Sequence, residues 1–145
     1  GDIYDWRSGR KIAGLLAEDK CSFRHTVEMM CASTEVVENK FTGNTTIGVV
    51  ITNGDFGKAS LCKIAGMAQD GYARAIRPVH TSADGDSIYA VSAGNVSEKV
   101  KADQDLVGTL AAEVMSEAII RAVTSAESAY GFPAYRELKA KENKR

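Results

Sequence analysis

Residues 45–52 read TTIGVVIT. β-Branched side chains fill this run almost throughout, and such side chains pack well on a pleated surface while losing freedom in a helix. The run is therefore a strand. Its near-continuous apolarity predicts burial on both faces. Asn53-Gly54-Asp55 ends it with turn chemistry. Downstream, Leu61, Ile64, Ala65, Ala68, Tyr72 and Ile76 recur at three- and four-residue spacings, which predicts a helix over 58–75 with one apolar stripe. Pro78 forbids its continuation. Asp84-Gly85-Asp86 reads as a turn, and SIYAVS (87–92) as a second buried strand. Residues 103–124 predict the longest helix, with Asp103 or Asp105 as N-cap and a wide stripe suited to packing against a sheet. Gly131 and Pro133 lie beyond its end.

Upstream of the strand, residues 2–7 and 11–17 flank Ser8-Gly9 and read as a hairpin or strand-turn-strand. Residues 18–42 fit no period and predict a long connector with one helical turn, a length that in a compact domain calls for a functional reason. The order hairpin, strand, helix, strand, helix predicts an α+β layer arrangement with helices covering one side of a sheet.

Composition bounds the function. The chain has 145 residues, 18 Lys+Arg against 19 Asp+Glu, a formal net charge of -1, and 44% hydrophobic residues. Length alone suggests one domain with a real core, and the composition argues against disorder. A charge near zero offers no footprint for nucleic acid or an anionic membrane. No apolar run approaches the ~20 residues of a bilayer span, and no basic-plus-apolar signal opens the chain. The first residue is Gly rather than Met, so a processed chain or a piece of a longer one is expected. Cys21, Cys31 and Cys62 form no C-x-x-C pair and read as structural or incidental thiols of a reducing cytoplasm. His25 and His80 are too few and scattered for a dedicated metal site, so neither metal nor cofactor is expected. The charged tail, 136–145, reads as a solvated, frayed terminus.

Two short stretches can carry chemistry. In Gly43-Asn44-Thr45-Thr46 a flexible Gly-Asn ends a polar connector and a Thr opens the strand. This order suits self-cleavage, in which the Thr45 hydroxyl attacks the Asn44 carbonyl and water then frees a new N-terminal Thr. An α-amine has an ordinary pKa of about 7.7–8.0 and can serve as base for its own hydroxyl. The same order also suits a plain turn. Asp84 and Asp86, two residues apart before the second strand, could orient that hydroxyl and amine, or simply form a polar turn. His80, after Pro78, could contact the same region or bond to its own loop.

GNTTIGVVITN (43–53) followed by ARAIRPVHTSADGDSIYAVSAG (73–94) resembles the L-aminopeptidase/D-esterase family, which includes β-peptidyl aminopeptidases and endo-type nylon-oligomer hydrolases. The resemblance is strong over 43–94, looser over 1–17, and slight over 18–42. It implies a precursor that cleaves itself ahead of a Ser or Thr, leaving both pieces together in an αββα sandwich that resembles Ntn hydrolases and is shared with ornithine acetyltransferases. On this resemblance Thr45 is the nucleophile and new N-terminus, and Asn44 precedes the cut. Asp84 and Asp86 fall where the nylon-oligomer hydrolases carry paired acids, whereas some β-peptidyl aminopeptidases have Ser and Glu there. Residues 1–44 would close the large subunit and 45–145 would form the small one.

Family members are more than twice this length. The resemblance implies that a missing N-terminal portion supplies a Tyr and an oxyanion-stabilising Asn. Such a donor is worth about 10²–10³ in rate, so this piece alone would be a poor catalyst with exposed sheet edges. The implied partners are a small peptide, amino-acid amide or ester substrate, the missing portion, and further copies in a homo-oligomer. Two other readings stand beside the hydrolase. An acyltransferase of the same fold would pass the acyl group to an amine, and acetylornithine plus glutamate assayed against amino-acid p-nitroanilides would separate the two. An uncleaved scaffold or binding module would fail to process.

Overall fold

A computed structural model describes residues 1–33 and 45–142. Asn44 and most of the connector's second half lie outside the described residues. The order is β1 (Asp2–Tyr4), β2 (Lys11–Ala13), α1 (Thr26–Ala32), β3 (Ile47–Thr52), α2 (Lys58–Ala75), β4 (Ile76–Arg77), β5 (Ser87–Ser92), α3 (Gln104–Ser125) and α4 (Tyr135–Glu142). The class is mixed α and β, as the pattern predicts.

β3 and β5 pair in parallel, from Ile47 opposite Ser87 to Thr52 opposite Ser92. A parallel pair needs a crossover, and α2 supplies it. The helix runs to Ala75, and the chain then passes directly into β4, two residues before Pro78. β1 lies between β2 and β4 in a second, antiparallel sheet, so the predicted hairpin at the start is present.

The core forms where α2 meets the inner face of β3–β5 and the flank of α3. Tyr72, Ala75, Ile76 and Met115 make one buried cluster, and Ile64, Ala68 and Ala111 another. Val50 and Ile88 pack against both, so the inner sheet face joins them. Ser116, fully buried, reaches across to the Gly71 carbonyl at 3.1 Å and ties α3 to α2. Asp103 caps α3, accepting from the Leu106 amide at 2.8 Å.

Four expectations are corrected. Residues 47–52 and 87–92 are not buried on both faces: Ile47 is 68% and Ile51 72% exposed, and Val49, Tyr89 and Val91 are exposed beside them. The helices cover only the face carrying Val50, Ile88 and Ala90, so alternate residues of each strand point away from the core. α3 packs chiefly on α2, leaving Leu106, Leu110 and Val114 exposed. An apolar groove of about 300 Å³ runs between α3 and β3, lined by Val49, Ile51, Val107, Leu110, Val114 and Ala118. The connector holds α1, two turns rather than one. The charged tail is not merely frayed: Leu138 of α4 is buried, one apolar residue among charges being enough to dock a short helix.

One polar node secures the N-terminal sheet. Asp2 is buried; its carboxylate pairs with Lys11 at 2.8 Å and accepts from the Thr26 hydroxyl at 2.6 Å and the Thr26 amide at 2.9 Å. Burial opposes its ionisation, but Lys11 and Thr26 outweigh that and hold the carboxyl down at about 2. The node joins β1, β2 and the first turn of α1.

Candidate active site

The parallel register brings together the two stretches singled out above. Beyond the first strand pair the ladder continues one step, with the Ser87 amide donating to the Thr46 carbonyl at 2.9 Å. The Thr46 amide, in turn, donates to Asp86 Oδ1 at 2.9 Å. Between them Gly85 passes so close that a Cβ there would lie 2.7 Å from Thr45 Oγ1. Real Cβ atoms do not approach that near, so glycine is what lets the loop lie against the Thr45 hydroxyl.

Asp84 and Asp86 divide their work. Asp84 Oδ2 accepts from the Thr81 hydroxyl at 2.7 Å and the Thr81 amide at 2.8 Å, closing its own loop. The Thr81 hydroxyl is the main cause that holds the Asp84 carboxyl below the usual carboxylate range; burial opposes it, and the Thr81 amide and His80 assist. Asp86, whose side chain is 7% exposed, offers its other oxygen, Oδ2, to His80 Nδ1 at 3.1 Å. Of the two readings open for His80, contact with this region is the one observed.

Beneath the loop stands Tyr72. It is fully buried, its hydroxyl donates to the Ser87 carbonyl at 3.3 Å, and its ring centroid lies 6.1 Å from that of His80. Burial, seconded by the charge of Asp86, raises the Tyr72 phenol above its ordinary value. Gly48 explains the one small residue in the strand: a Cβ there would come within 2.6 Å of the Tyr72 hydroxyl. Tyr72 enters the sequence reading only as part of a helical stripe, and nothing in its spacing marks it as a support for this loop. Thr81 was open to recognition, since a hydroxyl three residues before an Asp is a local capping pattern.

Comparison with known proteins decides the lineage. The family model for peptidase family S58 matches residues 8–136. The chain belongs to peptidase family S58.

This S58 chain is 40% identical to an uncharacterized aminopeptidase of Mycobacterium leprae over 103 residues, 63% of this chain and 28% of the relative. It is 35% identical to an uncharacterized aminopeptidase of Mycobacterium tuberculosis over 106 residues, 66% of this chain and 31% of the relative. A 6-aminohexanoate-oligomer endohydrolase of Paenarthrobacter ureafaciens is 30% identical over 89 residues, 55% of this chain and 25% of that protein. The chain thus spans less than a third of the length of these relatives. The family is the L-aminopeptidase/D-esterase group that the motifs resemble.

In the S58 chain the three thiols of Cys21, Cys31 and Cys62 are unbridged. Among the described residues no three His, Cys, Asp or Glu side chains converge as a metal cluster, and no helix is long and apolar enough to cross a membrane. Of the expected site residues, Thr45 and Asp86 are brought to one place, through the Thr46 amide and the close approach of Gly85; Asp84 is held by Thr81, and Asn44 lies outside the described residues.

Proposed function

We propose that the chain is the C-terminal part of a self-processing amidohydrolase, an aminopeptidase in the broad sense, that works through an acyl-Thr45 intermediate. Residues 1–44 close the large subunit and 45–145 form the small one, within an αββα sandwich completed by further chain. Maturation begins when Thr45 Oγ attacks the Asn44 carbonyl carbon. The peptide C–N bond breaks, the nitrogen keeps its electron pair and takes the hydroxyl proton, and an ester forms. Water hydrolyses the ester, leaving the Asn44 carboxylate and a free Thr45 amine. That amine then acts as base for the Thr45 hydroxyl in each turnover.

The observation that carries this reading is the joint placement of Thr45 and Asp86. Thr46 and Asp86, forty apart in sequence, meet at one end of a parallel strand pair, the Thr46 amide donating to the Asp86 carboxylate. That bond fixes the backbone immediately after Thr45, and rigid support of a nucleophile is what acyl transfer requires. Family membership and the names of the relatives support hydrolysis of an amide. The substrate class is a small peptide, amino-acid amide or ester, with ω-amino-acid oligomers included by analogy with the endohydrolase relative.

Intact mass and N-terminal sequencing of the full-length protein test the proposal. The expected result is a new N-terminus at Thr45, abolished together with aminopeptidase activity by Thr45→Ala. A single uncut species with normal activity overturns it.

A further inference from the structure

We propose that His80 is a positioning residue for the chemistry at Thr45, acting through Asp86; this rests on the reading of Thr45 as nucleophile. Among the described residues, each oxygen of the Asp86 carboxylate has a partner. Oδ1 accepts from the Thr46 amide and Oδ2 meets His80 Nδ1 at 3.1 Å. One donor alone would leave the carboxylate free to swing about its last torsion. A partner on each oxygen restrains its plane, and with it the path of the Thr46 amide and the Thr45 side chain beside Gly85.

Two further features hold the imidazole where this requires. His80 adopts φ +57°, a left-handed conformation that costs a non-glycine residue roughly 1 kcal/mol or more and persists only where surroundings impose it. The Tyr72 ring backs the imidazole, tilted 31° to it, and Tyr72 is itself buried and anchored on Ser87. The chain of support runs from the core through Tyr72 and His80 to Asp86, then to the backbone next to Thr45. The His80 side chain remains 39% exposed, so burial of apolar surface is not its main contribution.

Three substitutions in the full-length protein separate positioning from loop stability. Asn carries an amide N–H at the place of Nδ1 and tolerates the left-handed conformation. Gln puts its amide one carbon farther out. We expect His80→Ala and His80→Gln to slow self-cleavage and lower kcat by about 10–100-fold, the range for a small misplacement of a reacting group, with KM unchanged within about two-fold. His80→Asn should restore both rates to near wild type, with all three variants melting close to the parent. His80→Gln at the wild-type rate, or His80→Asn as slow as His80→Ala, overturns the proposal. Should His80→Ala not fold, the Asn–Gln pair decides alone. Thr45→Ala, run alongside, tests the parent reading: activity surviving there sinks the nucleophile assignment, whereas activity lost there and retained in His80→Gln sinks only the role of His80.

Discussion

The backbone amide of Thr46 donates to the carboxylate of Asp86 at 2.9 Å, joining the start of one strand to the turn that opens the next. Replacing Asp86 with Ala removes the acceptor and leaves that amide without its partner at a partly buried position, a loss of about 1–3 kcal/mol. Self-cleavage in the full-length protein should slow by about 10²-fold as the Thr45 backbone loosens. A time course of intact mass measures it, and cleavage at the parent rate contradicts the geometry.

Gly85 offers a cleaner probe. Ala at this position keeps the loop's polar contacts but places a Cβ 2.7 Å from the Thr45 hydroxyl oxygen, so that the hydroxyl must shift. Gly85→Ala should therefore fold with a nearly unchanged melting temperature and process about 10²-fold more slowly. Equal loss of melting temperature and activity would instead mean that the loop itself has failed.

Acid should loosen the N-terminal sheet. Asp2 is held at about 2, below its ordinary 3.8, so its contribution is fully present above about pH 4 and fades as pH falls toward 2. The lowering corresponds to on the order of 2 kcal/mol. Asp2→Asn should lose that stability at pH 7 and flatten the acid limb of a urea-midpoint profile. A parallel, unflattened limb would assign acid sensitivity elsewhere.

Thr81 sets the ionisation of Asp84. Thr81→Ala removes the hydroxyl that contributes most to its lowering, so the Asp84 carboxyl should move up toward the ordinary carboxylate range. A ¹³C carboxyl titration by NMR reads the shift directly, and no upward movement would contradict the assignment.

The exposed outer face of β3–β5 is expected to affect association of the chain more than its fold. Ile47→Thr together with Ile51→Thr keeps β-branched shape and removes exposed apolar surface. Light scattering of the 145-residue chain should fall while its melting temperature changes little. By contrast Ile64→Ala, in the fully buried cluster, should cost about 2–5 kcal/mol.

Much of this was legible in residue order. The β-branched run from Thr45, the stripe of α2 bounded by Pro78, and the Asp103 cap are local signals, and each element forms where its signal lies. Other features depend on partners remote in sequence. Apolarity at Ile47 and Ile51 marks a strand but says nothing of what covers each face. Leu138 sits among charges, and only the groove it enters makes it a core residue. The Asp86 carboxylate and Thr46 amide are ordinary turn and strand groups until the strands align. Tyr72 reads as one more stripe residue, because its support of His80 passes through space rather than along the helix.

Parallel pairing also governs how such a site tolerates change. In an antiparallel hairpin, the starts of two six-residue strands would stand roughly 20 Å apart. Here both starts share one sheet end, and the distance between Thr45 and Asp86 is independent of how long the intervening helix or loops become. Insertions between Asn53 and Lys58 alter the route but not the meeting point, whereas the 81–84 loop is closed by its own hydrogen bonds and has no such latitude. Deleting one residue inside either strand shifts the ladder and separates the pair. The geometry thus divides the region into connections whose length can drift and strands whose length cannot.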